Sequence, residues 1–93
     1  MAKWVATVNI SGSWKKARSK EITTQQLCEQ IIPAFKKLPM FVEDADLQAY
    51  VQNLQDIADA DQSDDCDVLI NEFDNCWDDI YDWADINRVW INI

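Results

Sequence analysis

The sequence predicts an α+β fold, in which a small antiparallel or mixed sheet is covered on one face by about three helices. Two observations lead to this prediction. Near both ends of the 93-residue chain apolar and polar residues alternate, which is the pattern of a strand with one buried face. Between these ends apolar residues recur every three or four positions, the period of helices packed on a core. We expect residues 1–93 to form a single domain.

Residues 1–22 are predicted to form a β-hairpin. The first strand, within Lys3–Ser11, has an apolar face made of Trp4, Ala6, Val8 and Ile10. Gly12, the single glycine of the chain, stands where a tight hairpin turn needs a positive φ. Residues 14–22 would form the returning strand, whose four basic side chains suit an exposed edge protected by charge. A basic loop is the alternative for this segment.

Two helices should follow, over residues 23–38 and 44–59. Thr23 and Gln26 have the spacing of a capping box at the start of the first helix. Pro33 lies inside it and removes a backbone hydrogen bond, so we expect a kink or a break near Ile32. Asp44 is the expected N-cap of the second helix, in which apolar residues follow a clear helical period.

Residues 64–86 are predicted to form a long acidic helix, with Ser63 or Asp64 as its N-cap. Its apolar stripe comprises Leu69, Phe73, Cys76, Trp77, Ile80 and Ala84. Residues 88–93 alternate again and should form the last strand, next to the first one in the sheet.

Charge is segregated along the chain, which has a net charge of −9. No lysine or arginine occurs from Pro39 to Asn87, whereas this segment contains fifteen acidic residues. Local i, i+4 ion pairs therefore cannot neutralise these acids. A sequence shaped only for solubility would intersperse both signs of charge. The one-signed surface therefore favours a basic binding partner.

The predicted partner-binding residues lie mainly on the acidic helix and at the end of the helix before it. Nine are carboxylates, and two aromatic residues are expected at the rim of the acidic surface. The set is Asp59, Asp61, Asp67, Glu72, Asp74, Asp78, Asp79, Asp82, Asp85, Tyr81 and Trp83.

Catalytic and cofactor-dependent functions are not expected. The chain has no histidine, which excludes Ser–His and Cys–His nucleophilic machinery, and one glycine cannot build a phosphate-binding loop. Cys28, Cys66 and Cys76 lack metal-ligand spacing and are interpreted as small core residues. We therefore predict a non-enzymatic protein that needs no cofactor.

A calcium site is also not expected, although the segment from Asp59 imitates the early ligand positions of an EF-hand loop. The sixth position holds Asp64 where glycine is required, and the twelfth holds Ile70 where a bidentate glutamate is required. Weak divalent-ion binding to this acidic segment stays an open alternative, but no dedicated metal site is predicted.

The expected location is the cytoplasm, since the odd number of cysteines and the lack of a signal peptide favour reduced thiols. No apolar run approaches the roughly 20 residues that span a bilayer. The negative charge disfavours an anionic membrane surface, so no membrane partner is predicted. The oligomeric state is left open.

The size, the segregated charge and the abundance of aspartate and tryptophan over residues 43–85 resemble a class of small acidic inhibitors. Many of these are phage-encoded, and they imitate nucleic acid to block restriction, CRISPR or other DNA-binding machinery. The resemblance implies a basic, nucleic-acid-handling protein as the partner, charge mimicry of DNA or RNA as the mechanism, no direct contact with nucleic acid, and the cytoplasm of a host cell as the location.

Two other functions are compatible with the same sequence. One is an immunity or antitoxin-like inhibitor that recognises a basic toxin. The other is a virion or oligomer subunit, in which the acidic residues merely form a solvated face.

Overall fold

The computed structural model, which describes residues 4–61 and 66–93, confirms the α+β class but changes its parts. Within these ranges the chain forms four helices and a two-stranded parallel sheet. The elements are β1 (Ala6–Asn9), α1 (Ser11–Arg18), α2 (Thr24–Lys36), α3 (Ala45–Ala58), α4 (Asp67–Asn87) and β2 (Val89–Asn92).

The two strands are neighbours, as predicted, but they run parallel, so the predicted antiparallel hairpin is wrong. Ala6 is in register with Val89, and Asn9 with Asn92. The ladder continues beyond the strands, since the Ile10 N–H donates to the Asn92 carbonyl at 3.0 Å. Parallel strands need a crossover connection of a dozen or more residues. The four helices together make that connection.

The predicted returning strand is instead helix α1. Ile10, Trp14 and Ala17 recur at i, i+4 and i+7, which places them on one side of a helix. Ile10 is buried, and Trp14 and Ala17 pack against the core. The three basic residues in the last turn favour the helix because their positive charges interact favourably with the partial negative charge at its C-terminal end. Gly12 lies inside α1, and no glycine has a positive φ, so the predicted glycine turn is wrong.

Helix α2 begins as predicted and passes through its proline. The Thr23 side chain accepts from the Gln26 N–H at 3.1 Å, and the Gln26 side chain accepts from the Thr23 N–H at 2.9 Å, which confirms the capping box. Pro33 does not break the helix, which continues to Lys36. Residues on both sides of the proline, including Phe35, are buried, and this packing offsets the missing hydrogen bond, which costs about 3 kcal/mol.

Asp44 is the N-cap of α3, as predicted, and its Oδ1 accepts from the Leu47 N–H at 2.9 Å. Helix α4 begins at Asp67 with Cys66 as its N-cap, whereas the expected caps Ser63 and Asp64 lie outside the described residues. At its end Arg88 adopts a left-handed conformation with φ 57°, which leads the chain into β2. Among the described helices, none is long and apolar enough to cross a membrane.

Trp77 is the centre of the aromatic part of the core, with 6% of its surface exposed. Four rings from three helices contact it, with ring centroids 5.1 to 6.2 Å away. These rings belong to Trp14 of α1, Phe35 of α2, and Phe73 and Tyr81 of α4. The cluster therefore fastens α1 and α2 to α4 and determines which side of α4 remains exposed.

Candidate functional site

The seven acids of α4 are all exposed, and the fold separates them into two groups. One group is turned towards α3 and contains Glu72, Asp79 and Asp82. The other, which we call the outer acidic row, contains Asp67, Asp74, Asp78 and Asp85. The two groups lie on adjacent sides of the helix at 100° per residue, and only the first is joined by carboxylates from another helix.

Tyr50 of α3 marks the place where carboxylates from two helices meet. Burial raises the pKa of its phenol, and nearby negative charges raise it further. These charges belong to Asp46, Asp79, Asp44 and Asp82, in descending order of effect. Two of them come from the start of α3 and two from the second half of α4. The carboxylates of both helices therefore act electrostatically on the same tyrosine.

The same surface continues into a groove between α3 and α4 with a volume of about 430 Å³. Ile57 and Cys76 contribute its apolar part, and five carboxylate or amide side chains complete its lining. The polar lining residues are Asn53, Asp56, Glu72, Asn75 and Asp79. We call the combined surface the α3–α4 acidic face; its carboxylates are Asp44, Asp46, Asp56, Glu72, Asp79 and Asp82.

Carboxylates at the end of α3 accept hydrogen bonds from neutral amides. Gln52 Nε2 donates to Asp56 Oδ1 at 2.9 Å, and Gln55 Nε2 donates to Asp59 Oδ2 at 3.0 Å. In both pairs the glutamine stands at i−4, a position where lysine could have formed an ion pair. An amide holds the carboxylate in place and leaves its charge intact, so these contacts order the acidic surface without neutralising it.

The remaining predicted acids lie outside the α3–α4 acidic face. Asp59 and Asp61 are exposed beyond the end of α3, and Asp61 is the last residue described before the gap at 62–65. In the outer acidic row, Asp74 borders a cleft beside Trp14, and Asp85 borders a groove next to β2. The predicted acids therefore spread over two adjacent sides of α4 and the end of α3, and they do not converge on one point.

Trp83 is buried, so its predicted place at the exposed rim is wrong. It is 5% exposed, and its indole Nε1 donates to Asp44 Oδ2 at 2.9 Å. Asp44 thus caps α3 with one carboxylate oxygen and ties α3 to α4 with the other. Tyr81 is 40% exposed and does occupy a rim position.

Three carboxylates of this face, Asp44, Asp46 and Asp56, are not among the predicted partner-binding residues. Asp46, Tyr50, Asn53 and Asp56 follow one another at i, i+4, i+7 and i+10, which is a polar stripe beside the apolar one. This spacing was a signal available in the sequence. Its alignment with Asp79 and Asp82 requires the antiparallel packing of α3 on α4. The start of α3 meets the end of α4 through Asp44 and Trp83, and the end of α3 shares a groove with the first half of α4 through Asp56 and Glu72.

Two thiols are buried, and one of them, that of Cys76, lines the groove of this face. Burial raises the pKa of Cys28 to about 12, with smaller effects from Cys76 and Glu29. Burial, followed by the charge of Asp79, raises the pKa of Cys76 to about 11, and its thiol donates to the Tyr50 carbonyl at 3.5 Å. Both thiols stay protonated at neutral pH, which agrees with their interpretation as core residues; Cys66 is partly buried. In residues 4–61 and 66–93 no cluster of three potential metal ligands occurs.

The raised thiol pKa values predict a loss of stability at alkaline pH. The folded state keeps these protons while the unfolded chain releases them, so the contribution is intact below pH 9 and lost as pH rises towards 11–12. Between pH 8.5 and 10.5 we expect Cys28 to account for a decrease of about 1–2 kcal/mol in the free energy of unfolding. Urea denaturation at both pH values measures this decrease.

The variant Cys28→Ala supplies the comparison. It should be less stable at pH 8.5 because of the lost packing, yet its stability should fall less steeply with pH. An equal fall in both proteins would show that the Cys28 thiol does not titrate differently in the folded state.

Comparisons of the chain with protein-family models, curated proteins and solved structures give no match.

Proposed function

We propose that this protein binds a basic, nucleic-acid-handling protein through its acidic side, centred on the α3–α4 acidic face, and inhibits it by imitating the charge of DNA or RNA. The observation that carries the proposal is the meeting of carboxylates from two helices around Tyr50. On this proposal the protein is not an enzyme, does not contact nucleic acid itself, and acts in the cytoplasm, that of a host cell if it is phage-encoded.

The density of charge supports mimicry. Helix α4 has seven carboxylates over 21 residues, or about one for each 4.5 Å of helix axis at 1.5 Å per residue. A DNA strand carries one phosphate for about each 3.4 Å of axis. A cationic groove that accommodates a phosphate row would therefore meet a comparable density of negative charge along α4, spread over two adjacent sides of the helix.

The pairing of helices adds a second row. Packed helices have axes about 8–10 Å apart, and the acids of α3 and α4 border the groove between them. The grooves of B-DNA, bordered by two phosphate rows, are about 6 and 12 Å wide. The α3–α4 acidic face thus carries negative charge on two packed helices, whose typical axial separation is of the same order as the widths of the two DNA grooves.

Neutralising part of this face should weaken binding and strengthen the fold. The variant Asp79→Asn/Asp82→Asn removes two of the charges near Tyr50, and we expect its partner affinity to fall about tenfold or more. Because like charges three residues apart on a helix repel, the thermal midpoint should rise by about 1–4 °C. A loss of binding with a gain of stability separates a functional role from damage to the fold.

The matched control is Glu21→Gln/Glu29→Gln, which removes two charges from exposed positions before and within α2. Its partner affinity should stay close to that of the wild type. If both variants lose affinity equally, binding depends on net charge alone and the α3–α4 acidic face is not the contact surface.

The proposal itself is tested by capture from a cell lysate on the immobilised protein, at increasing salt and with or without competing duplex DNA. We expect nucleic-acid-binding proteins among the captured partners, capture that weakens with salt, and displacement by DNA. Capture of one dedicated partner that DNA does not displace would contradict mimicry and indicate a toxin inhibitor. Capture of further copies of the chain alone would also contradict it and indicate a structural subunit.

A further inference from the structure

A second groove lies beside β2 at the end of α4, away from Tyr50. Its volume is about 290 Å³, and three aromatic side chains line it together with one carboxylate. These residues are Trp4, Tyr81, Trp90 and Asp85, and we call this site the aromatic groove. The proposed function does not use its two tryptophans.

The three rings are large apolar groups left open to solvent. Trp4 is 44% exposed and Trp90 is 46% exposed. Their ring centroids lie 5.2 Å apart, and the ring planes are inclined at 56°. The rings of Tyr81 and the buried Trp77 are nearly perpendicular, with centroids 5.4 Å apart, and this contact restrains the Tyr81 ring on the side of the core. Exposed aromatic rings grouped in a concave site are typical of binding surfaces.

The electrostatic setting of the aromatic groove selects the charge of its ligand. Asp85 lines the groove, and Asp78 and Asp85 stand at i−3 and i+4 from Tyr81, on the same side of α4. Aromatic faces and carboxylates both attract cations. An anionic ligand would be repelled by these carboxylates, and an uncharged one could donate hydrogen bonds to them but would lack the attraction between opposite charges.

We infer that the aromatic groove binds an arginine side chain of the basic partner, an inference that rests on the proposed function. A guanidinium group is planar, so it can stack on an indole while it donates hydrogen bonds to the Asp85 carboxylate. It is also more weakly hydrated than an ammonium group and enters a partly apolar site more readily. The aromatic groove thus anchors the partner at the sheet end of α4.

A second copy of the chain is a poorer occupant of the aromatic groove. Contact between two copies of this groove would bring Asp85 and Asp78 of one copy close to the same residues of the other. Each copy also has a net charge of −9, which opposes association. An arginine on a basic surface meets neither obstacle.

Nuclear magnetic resonance of the full chain tests the inference, with the five tryptophan indole N–H signals as reporters. The probes are three short capped peptides that contain arginine, lysine or citrulline, the last being a neutral analogue of arginine. The arginine peptide should shift the Trp4 and Trp90 signals and leave the signal of the buried Trp83 in place. The lysine peptide should bind more weakly, and the citrulline peptide should have no effect.

Two variants in the aromatic groove keep the test independent of any one substitution. Both Trp90→Ala and Asp85→Asn should reduce affinity for the arginine peptide about tenfold. Glu29→Gln removes the same charge from an exposed position of α2, outside the predicted partner-binding set, and should leave the affinity unchanged within about twofold. Circular dichroism checks that each variant is folded.

Each outcome decides for or against the inference. Equal binding of the arginine and citrulline peptides, or equal effects of Asp85→Asn and Glu29→Gln, would overturn it. Trp4 and Trp90 signals that shift with protein concentration alone would indicate self-association at the aromatic groove and would also overturn it.

The aromatic groove and the proposed function can fail separately. If a DNA-displaceable partner is captured by Trp90→Ala as well as by the wild type, the aromatic groove is not its anchor, although charge mimicry stands. If the peptide tests succeed but duplex DNA displaces no lysate partner, the groove binds arginine and the mimicry proposal fails.

Discussion

Replacing Trp77 with alanine should lower the free energy of unfolding by about 3–5 kcal/mol, the range for large aromatic residues in a packed core. The side chain is almost fully buried and contacts four other rings from three helices. Its removal leaves a cavity and weakens the contact between α1 and α4, because Trp14 stacks on Trp77 at 5.1 Å and keeps, among the described residues, only Phe73, at 6.2 Å, as a ring partner. Denaturation by urea, followed by circular dichroism, measures the loss.

The exposed Trp90 provides the control for this prediction. Trp90→Ala removes the same side chain from the surface, where substitutions usually change stability by about 0.5 kcal/mol or less. If Trp77→Ala is no more destabilising than Trp90→Ala, the aromatic cluster does not organise the core, and the position of α1 needs another explanation.

Asp44→Ala is expected to lower the free energy of unfolding by about 2–4 kcal/mol, although the side chain lies near the surface. It removes the cap of α3, worth about 0.5–2 kcal/mol. It also leaves the buried Trp83 N–H without its acceptor, which costs about 1–3 kcal/mol. Thermal and urea unfolding of the variant measure the sum.

Two further variants separate these effects. Asp46→Ala removes an equal charge from the first turn of α3 and should cost much less, since no hydrogen bond of its side chain is seen within the described residues. A double-mutant cycle of Asp44→Ala with Trp83→Phe should give a coupling of about 0.5–3 kcal/mol. A coupling near zero would mean that the indole hydrogen bond does not tie α4 to α3.

The elements best predicted from the sequence are those with a strong local cause. Thr23 and Gln26 cap α2 through bonds within three residues, and Asp44 caps α3 in the same way. Helices α3 and α4 are predicted correctly because their apolar residues recur every three or four positions over a long segment, a pattern that a strand does not produce. Residues 11–18 are predicted as part of a hairpin but form helix α1. A segment of eight residues contains too few apolar positions to distinguish the two-residue period of a strand from the 3.6-residue period of a helix.

Parallel pairing of the strands could not be derived from local pattern. Alternation shows that β1 and β2 each have a buried side, but it is the same for either direction of pairing. The direction of β2 depends on the end of β1 at which the chain re-enters the sheet after α1–α4. Packing between residues far apart in sequence decides that position. Trp14 against Trp77 and Asp44 against Trp83 are two contacts of this kind.

Local signals in the sequence predict the α+β class, three of the helices, the pairing of the terminal strands and a one-signed acidic segment. These features follow from side-chain period, caps and composition, which act over a few residues. Four other features emerge only from the packing of the folded chain: α1 is a helix, the sheet is parallel, Trp83 is buried, and acids of α3 join those of α4 around Tyr50. Each of them depends on how whole helices pack, and the same local pattern is compatible with several packings.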